Sequence, residues 1–567
     1  MCGILGGNNA KWDYVAGIKS MQHRGPDGIK VVRNQEFVMA FARLAIIDLS
    51  ERGMQPMFSE DKRVGIVYNG EIYGYQDLKD ELIRLGYRFE SASDTEVILN
   101  AYLAWGDAFI NKIDGMFGFA IYDQRDMTVK LYRDRAGIKP LYYYYNNEEF
   151  GFASELKGIL NMCKGMTFSI DNTAIYDYLN YEYIPDPKTM YHHIYKLEAA
   201  HLLVYSLNEK KILTHEPYWK LKMNSHVGYQ RNRKTLVEDI RELIKQSVRQ
   251  QMVADVPVGT FLSGGIDSSI VTYEGHRENP HIETFSIGFR HKQYDELKYA
   301  HILISRYALT SNQQIFKEGD FNLFVKKFSD WYDEPFADTS AFPTYLLSRM
   351  TKEKVTVALT GDGGDEIFGG YPRYIMLLER ERRGIDNRAI SRLFQFMNTD
   401  GILNKYAMIF LDDLNCLHNT YMKPLQISDR VLRARLGIPK DYDRLWYMRK
   451  YYIKDLPPIT RGQYLDFKTY LPGSVLTKVD RVSMAVSLET RVPFLNRKII
   501  EYAFGLSQMD RCQGEALKGL LKLAYEKELG KKIVYRKKQG FCMPVEYISN
   551  RETPREKILN KAWGIKL

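Results

Sequence analysis

Apolar residues follow two rhythms along this chain, and the change between them marks its organisation. From the amino terminus to Ala200 the runs are short, rich in β-branched and aromatic residues, and separated by polar turns. Phe37–Leu49 and Val64–Tyr73 read as strands, the second broken by the pair Asn69-Gly70. Phe117–Tyr122 and Thr128–Tyr132 flank the polar turn Asp123–Met127 and read as a hairpin. Leu141–Tyr145 and Phe150–Ala153, around Asn146–Glu149, read as another. Two helical stretches interrupt these runs: Gln76–Leu85, which stops at Gly86, and Thr95–Trp105, with Asp94 as its cap. Sheets with helices on their outer faces predict an α+β sandwich (αββα) over residues 2–200.

Residues 201–233 turn polar and lysine-rich, which reads as a linker. Beyond it the order becomes strand, glycine-rich loop, helix. Leu236–Met252 has helical periodicity, and Val256–Leu262 is a strand leading into Ser263–Ser269. Thr284–Phe289 is a second strand, followed by the helix Asp295–Tyr307, and Lys354–Leu359 is a third, leading into Thr360–Gly370. This alternation predicts a doubly wound parallel α/β sheet for residues 234–567, with a mostly helical carboxyl-terminal part from Tyr371.

Composition narrows the classes of function. Over 567 residues the net charge of +10 is mild, and no basic stripe or tail points to nucleic acid. Uncharged runs such as Met116–Tyr122 fall far short of the ~18–20 residues of a membrane span. No basic-then-apolar leader follows Met1, and the 5 cysteines are scattered without a CxxC pair. A reducing cytoplasm is the expected location, with small molecules rather than nucleic acid or membrane as partners.

Cys2 follows Met1 directly. Once Met1 is removed, thiol and α-amine share one residue, and the amine (pKa ~7.7–8.0) can take the proton of a thiol (pKa ~8.5) near neutrality. Alone, Cys2 reads better as a buried or incidental cysteine, because nothing about one residue excludes it. Its surroundings say more: Cys2-Gly3-Ile4, His23-Arg24-Gly25-Pro26-Asp27-Gly28, Arg43-Leu44-Ala45-Ile46-Ile47-Asp48, Tyr68-Asn69-Gly70-Glu71-Ile72-Tyr73 and Ser93-Asp94-Thr95-Glu96. With Arg133–Tyr142 and Ala153–Lys157, these resemble the class II glutamine amidotransferase domain, an amino-terminal-nucleophile hydrolase. The resemblance implies that Cys2 attacks the glutamine carboxamide and that Asn69 and Gly70 bind the oxyanion. It also implies that Arg43 holds the substrate carboxylate, that Glu71 and Asp94 hold its ammonium, and that Ile46 lines the pocket.

In the second half, Ser263-Gly264-Gly265-Ile266-Asp267-Ser268-Ser269 follows a strand and opens a helix, a geometry suited to phosphate. No GxxxxGK loop with a following Ser or Thr occurs, so this is not a Walker NTPase. The loop is similar to the SGGxDS loop of ATP pyrophosphatases. Together with Thr284–Phe289, Thr360–Glu366, Leu476–Ala485 and Leu488–Leu495, it resembles the glutamine-hydrolysing asparagine synthetase family. That resemblance implies Mg²⁺ on Asp267 and Asp365, charge neutralisation by Lys478, and pyrophosphate cradled by Ser263, Gly264, Gly265, Ser268 and Ser269. Leu262, Ile287, Thr360 and Gly361 would contact the rest of ATP.

The activity so implied is glutamine-dependent amidation of a carboxylate through an acyl-adenylate, in a possible homodimer. Aspartate is the expected acceptor, and a uronic acid is the alternative. Three departures from the family pattern bear on that last step. Asp362 stands where a glutamate general base is usual, the tail after Lys538-Gln539-Gly540-Phe541 and Pro544 is short, and Leu197–His201 lacks a proline-glycine pair.

Overall fold

The computed structural model describes residues 1–34, 36–290, 295–316, 327–382, 413–421, 428–537, 559–560 and 563–565. The tail motif Lys538–Phe541 with Pro544, and Cys542, lie outside them. Two six-stranded antiparallel sheets face each other in the first half. In spatial order one runs Ile194–Lys196, Tyr142–Asn146, Glu149–Ala153, Gly3–Gly7, Val38–Arg43, Gly28–Arg33. The other runs Lys211–Pro217, His201–Ser206, Thr128–Arg133, Gly115–Asp123, Val64–Ile72, Met57–Phe58. Ile4, Met39, Phe41 and Phe152 of the first sheet pack on Val67, Ala120, Tyr122 and Leu131 of the second. Helices Tyr14–Ser20 and Leu156–Met162 cover one outer face, and Tyr75–Arg84 and Asp94–Trp105 the other. This is the expected αββα sandwich.

Four local expectations change. Asn69-Gly70 does not break its strand: Gly70 pairs with Phe117, and a Cβ there would lie 2.2 Å from Met116 O, so the glycine serves close strand approach rather than a turn. Ser93, not Asp94, caps the second helix, accepting from Thr95 N. Asp94 is thereby freed to turn inward. The strand expected over Phe37–Leu49 stops at Arg43, and the next residues leave the sheet. Finally, residues 201–217 are two paired strands of the second sheet, not linker. Their lysines point outward while Leu203 and Tyr205 enter the core. Average polarity concealed an alternating pattern.

The second half is built on a five-stranded parallel sheet, in the order Thr310–Ile315, Glu283–Gly288, Val258–Phe261, Val357–Leu359, Glu489–Arg491. Ile270 and Leu303, from helices Ile266–Glu278 and Leu297–Tyr307, pack in one core. Leu347, from Ala341–Lys352, packs against Phe285 and Ala358 in a second. Val258–Phe261 has its sequence-adjacent partner on one side and Val357–Leu359 on the other. The crevice beyond the carboxyl ends of these two strands is therefore the topological switch point, where such sheets bind ligands.

Apolar contacts such as Met1, Leu44 and Ile46 with Val357 and Met484 join the halves, and buried charge adds to them. Arg24 Nη1 donates to Glu155 Oε1 at 2.7 Å and to Asp480 Oδ2 at 2.8 Å, and Arg481 Nη1 lies 3.0 Å from Glu155 Oε1. All four side chains are buried. Burial works against the Asp480 carboxylate, but Arg24 and Lys139 outweigh it and hold its pKa below the ordinary value. Removing one partner of such a buried set costs about 3–5 kcal/mol, so the docking of the halves is highly specified.

Candidate active sites

Cys2 immediately precedes the central strand Gly3–Gly7, which fixes its backbone between the sheets. Its N–H donates to Asn69 Oδ1 at 2.9 Å, its carbonyl accepts from Arg24 Nε at 3.2 Å, and its Sγ lies 3.4 Å from Leu44 N. Asn69 Nδ2 is buried and has no hydrogen-bond partner among the described residues, leaving an amide donor beside the thiol. Burial pushes the Cys2 thiol up, and the nearby amino-terminal amine opposes this. The thiol borders a small cavity of about 40 Å³ whose walls include Arg43, Ile46, Gly70, Glu71 and Asp94. The residues expected to bind glutamine are thus brought together beside Cys2, from three separate stretches of chain.

Their partners set their charge. Arg43 donates to the carbonyls of Ser50, at 2.7 Å, and Asp48, which anchors the guanidinium at the cavity wall. Asp94 accepts from Tyr68 Oη at 2.9 Å and from Ile72 N at 3.1 Å, yet burial raises its pKa to about 6. Glu71 is pushed up by burial and by Asp94, and is opposed by Arg491.

The crevice of the second half holds a larger cavity of about 630 Å³. Leu262, Ser263, Gly265, Asp267 and Ser268 line it from the loop, and Ile287 from the neighbouring strand end. Thr360, Gly361, Asp362, Asp365 and Lys478 line it opposite. Gly264 and Ser269 do not. Gly264 turns the chain with φ +73°, where a Cβ would lie 2.5 Å from Ala300 N, and Ser269 is buried one turn into the helix. Lys478 pairs with Asp338 at 3.7 Å, whereas Asp480 and Glu489 are engaged elsewhere, by Arg24 and by the amino-terminal amine. Asp362 accepts from Thr360 Oγ1 at 2.8 Å.

Asp267 and Asp365 converge on one point, the ammonium of Lys518, which contacts Asp267 Oδ2 and lies 2.6 Å from Asp365 Oδ1. A Cβ on Gly370 or Gly364 would lie 1.8 Å from Asp365 Oδ1 or 2.6 Å from Asp267 Oδ1, so glycine gives the carboxylates their room. Two carboxylates sharing a cationic position fit the donor set of Mg²⁺, which also takes substrate phosphate oxygens. No group of three or more His, Cys, Asp or Glu suited to a metal occurs among the described residues, so phosphate and water must complete any shell.

Comparison with known proteins finds two family models along the chain. The description "Glutamine amidotransferase domain" matches residues 1–219, and "Asparagine synthase" matches residues 239–561. Asparagine synthetase (glutamine-hydrolysing) 1 of Bacillus subtilis is 32% identical over 569 residues, covering 96% of this chain and 88% of its own. The chain belongs to the glutamine-hydrolysing asparagine synthetase family. A relative in Methanocaldococcus jannaschii is 36% identical over 501 residues, covering 84% of this chain and 96% of its own. Asparagine synthetase (glutamine-hydrolysing) 3 of Bacillus subtilis is 28% identical, covering 95% and 87%. This synthetase is therefore an enzyme of glutamine-dependent amidation, and ATP use goes with the family. No helix among its described residues is long and apolar enough to cross a membrane.

Several residues at the synthetase's two sites carry no local sequence signal. Lys518 lies in Ala516-Leu517-Lys518-Gly519, far from any motif, and reaches the phosphate loop only through the fold. Leu44 and Arg24 touch Cys2 from inside recognised motifs whose spacing says nothing of that contact. Glu489 approaches the cavity beside Cys2 from the other domain.

Proposed function

We propose that the enzyme activates a carboxylate, that of aspartate, as its acyl-adenylate and amidates it with ammonia released from glutamine at Cys2. The observation that carries this reading is the helix Thr477–Met484, which serves both sites. It lends Lys478 to the ATP cavity and Asp480 to Arg24, the side chain that holds the Cys2 carbonyl.

In the glutaminase half-reaction, Sγ of Cys2 attacks the carboxamide carbon. Asn69 Nδ2 and Gly70 N–H take the oxyanion, a contribution of about 3–4 kcal/mol per donor to barrier lowering. The α-amine of Cys2, freed by loss of Met1, passes the thiol proton to the departing ammonia, and water then hydrolyses the thioester to glutamate. Arg43 grips the substrate carboxylate, Glu71 and Asp94 its ammonium.

In the second half-reaction a carboxylate oxygen of the acceptor attacks the α-phosphorus of ATP and pyrophosphate leaves. Ser263, Gly265 and Ser268 of the loop cradle the departing anion, Lys478 offsets charge on the transferring phosphate, and Asp267 with Asp365 would hold Mg²⁺, which supplies further phosphate charge neutralisation. Ammonia attacks the acyl carbon, Asp362 accepts the excess proton, and AMP departs. Protonated ammonia cannot attack, which favours a passage shielded from bulk water. Small voids of about 20 and 10 Å³, both bordered by Tyr142 and Thr477, occur at the domain junction.

Pyrophosphate release with glutamine, ATP, Mg²⁺ and a panel of carboxylic acids tests the acceptor. Aspartate is expected to drive release and yield asparagine. Release with a uronic acid and none with aspartate would transfer the enzyme to a different acceptor.

A pH effect follows from Asp94. Its carboxyl titrates near 6, so it is charged at neutral pH and loses its pull on the substrate ammonium below that value. The KM for glutamine is expected to rise about fourfold between pH ~7 and ~5.5, and the step to vanish in Asp94→Asn. Glutamate release across this range checks it.

A further inference from the structure

The short strand Glu489–Arg491 belongs to the edge of the ATP-domain sheet, yet its two charged side chains serve the glutamine cavity. Strand periodicity puts residues 489 and 491 on one side. Glu489 Oε2 accepts from the amino-terminal amine at 2.8 Å, and Glu489 lines the cavity. Arg491 Nε donates to Glu489 Oε1 at 2.7 Å, and its Nη2 lies 3.2 Å from Glu71 Oε2. Its Nη1 donates to the carbonyls of Gln251 and Val253 at 2.8 and 2.7 Å, which fixes the guanidinium to its own domain. The side chains of Arg491 and Glu489 are entirely buried.

The same residue reaches the second site through its backbone. Arg491 O accepts from Thr360 N at 2.8 Å, and Leu359 pairs with Arg491 across the sheet. Thr360 begins the segment that carries Asp362 and Asp365. A single residue therefore touches a carboxylate of the glutamine pocket with its side chain and the ATP-site segment with its main chain.

Glu71 needs such a partner. It is buried beside Asp94, and two carboxylates that are both to face a substrate ammonium repel one another when the pocket is empty. A fixed guanidinium offsets that repulsion and sets the rotamer of Glu71. We propose that Arg491 is a positioning residue for glutamine binding, lent by the ATP domain, so that the glutamine pocket is complete only when the two domains are docked. This rests on the reading of Cys2 as a glutaminase centre.

The test is a double-mutant cycle in the full-length enzyme: Arg491→Met, Glu71→Gln and the pair, followed by steady-state glutamate release and by thermal unfolding. Arg491→Met is expected to raise the KM for glutamine about 10- to 100-fold, the loss of one charge-assisted contact, with a smaller change in kcat. If Arg491 acts through Glu71, the pair is no more than about twofold worse than Glu71→Gln alone, whereas independent structural roles would multiply. Arg491→Lys keeps the charge, guards against a Met variant that does not fold, and is expected to give an intermediate KM. An unchanged KM in Arg491→Lys and Arg491→Met, or multiplying effects in the cycle, overturns the proposal. Wild-type enzyme that releases no glutamate, or a Cys2→Ala variant that still does, overturns the glutaminase reading and this inference with it.

Discussion

Cys2→Ala is expected to lower glutamine-dependent product formation by about a thousandfold or more, to background, while synthesis from added ammonia stays measurable. The substitution removes one sulfur and leaves the Cys2 backbone bonds to Asn69 and Arg24 in place, so the pocket keeps its walls and loses its nucleophile. No other described cysteine can substitute. Cys163, Cys416 and Cys512 are each buried in other cores. Cys2 is not among the residues that line the larger cavity, so under the proposed mechanism ammonia supplied at alkaline pH enters the second half-reaction directly. The measurement is paired, glutamine and ammonia as donors on one preparation, with an intact mass to establish that active wild-type enzyme lacks Met1. Met1 matters because its amine is bound to Glu489 and its side chain is packed with Leu44 and Ile46. A wild-type enzyme that retains Met1 and is fully active contradicts the proposed α-amine base. A folded alanine variant that has lost both activities contradicts separate sites.

Much of this architecture is legible in the sequence because it is local. Hairpins such as Gly115–Asp123 with Thr128–Arg133 join neighbouring runs, and the loop after Phe261 is a contiguous motif at a strand end. What escapes has two physical origins. In the first, a local signal is ambiguous: Asn-Gly commonly turns a chain, but Gly70 is small because Met116 O passes close by, and residues 201–217 look like linker because the edge strand Lys211–Pro217 is exposed and polar. In the second, the contact joins residues far apart in the chain. The bond between the Met1 amine and Glu489 spans 488 positions, and that between Lys518 and Asp267 spans 251. Charged residues at such distances look like ordinary surface charge until the fold buries them together. Arg491 is the sharpest case, because the motif containing it belongs to the ATP domain while its guanidinium faces Glu71.

Asp365→Asn is expected to lower ATP-dependent pyrophosphate release by about 10²- to 10³-fold with either nitrogen donor, and to leave glutamate release from glutamine in place. Asp365 and Asp267 share one cationic position, held in this structure by Lys518, and Gly370 clears the space that the Asp365 carboxylate occupies. The amide keeps the volume and removes one of two negative charges, so the position attracts a divalent cation less strongly while the cavity keeps its shape. The defect should therefore shrink as Mg²⁺ is raised, which separates a weakened metal site from a collapsed one. Asp365 sits in the segment whose Thr360 is bonded to the Arg491 carbonyl, and it lines a different cavity from Glu71 and Cys2. Titrating Mg²⁺ while following pyrophosphate and glutamate in parallel checks both halves of the expectation. Release that persists at wild-type Mg²⁺ demand would move the metal to other residues. Equal loss of glutamate release would mean that the strand Glu489–Arg491 transmits disturbance of the ATP site as well as joining the two sites.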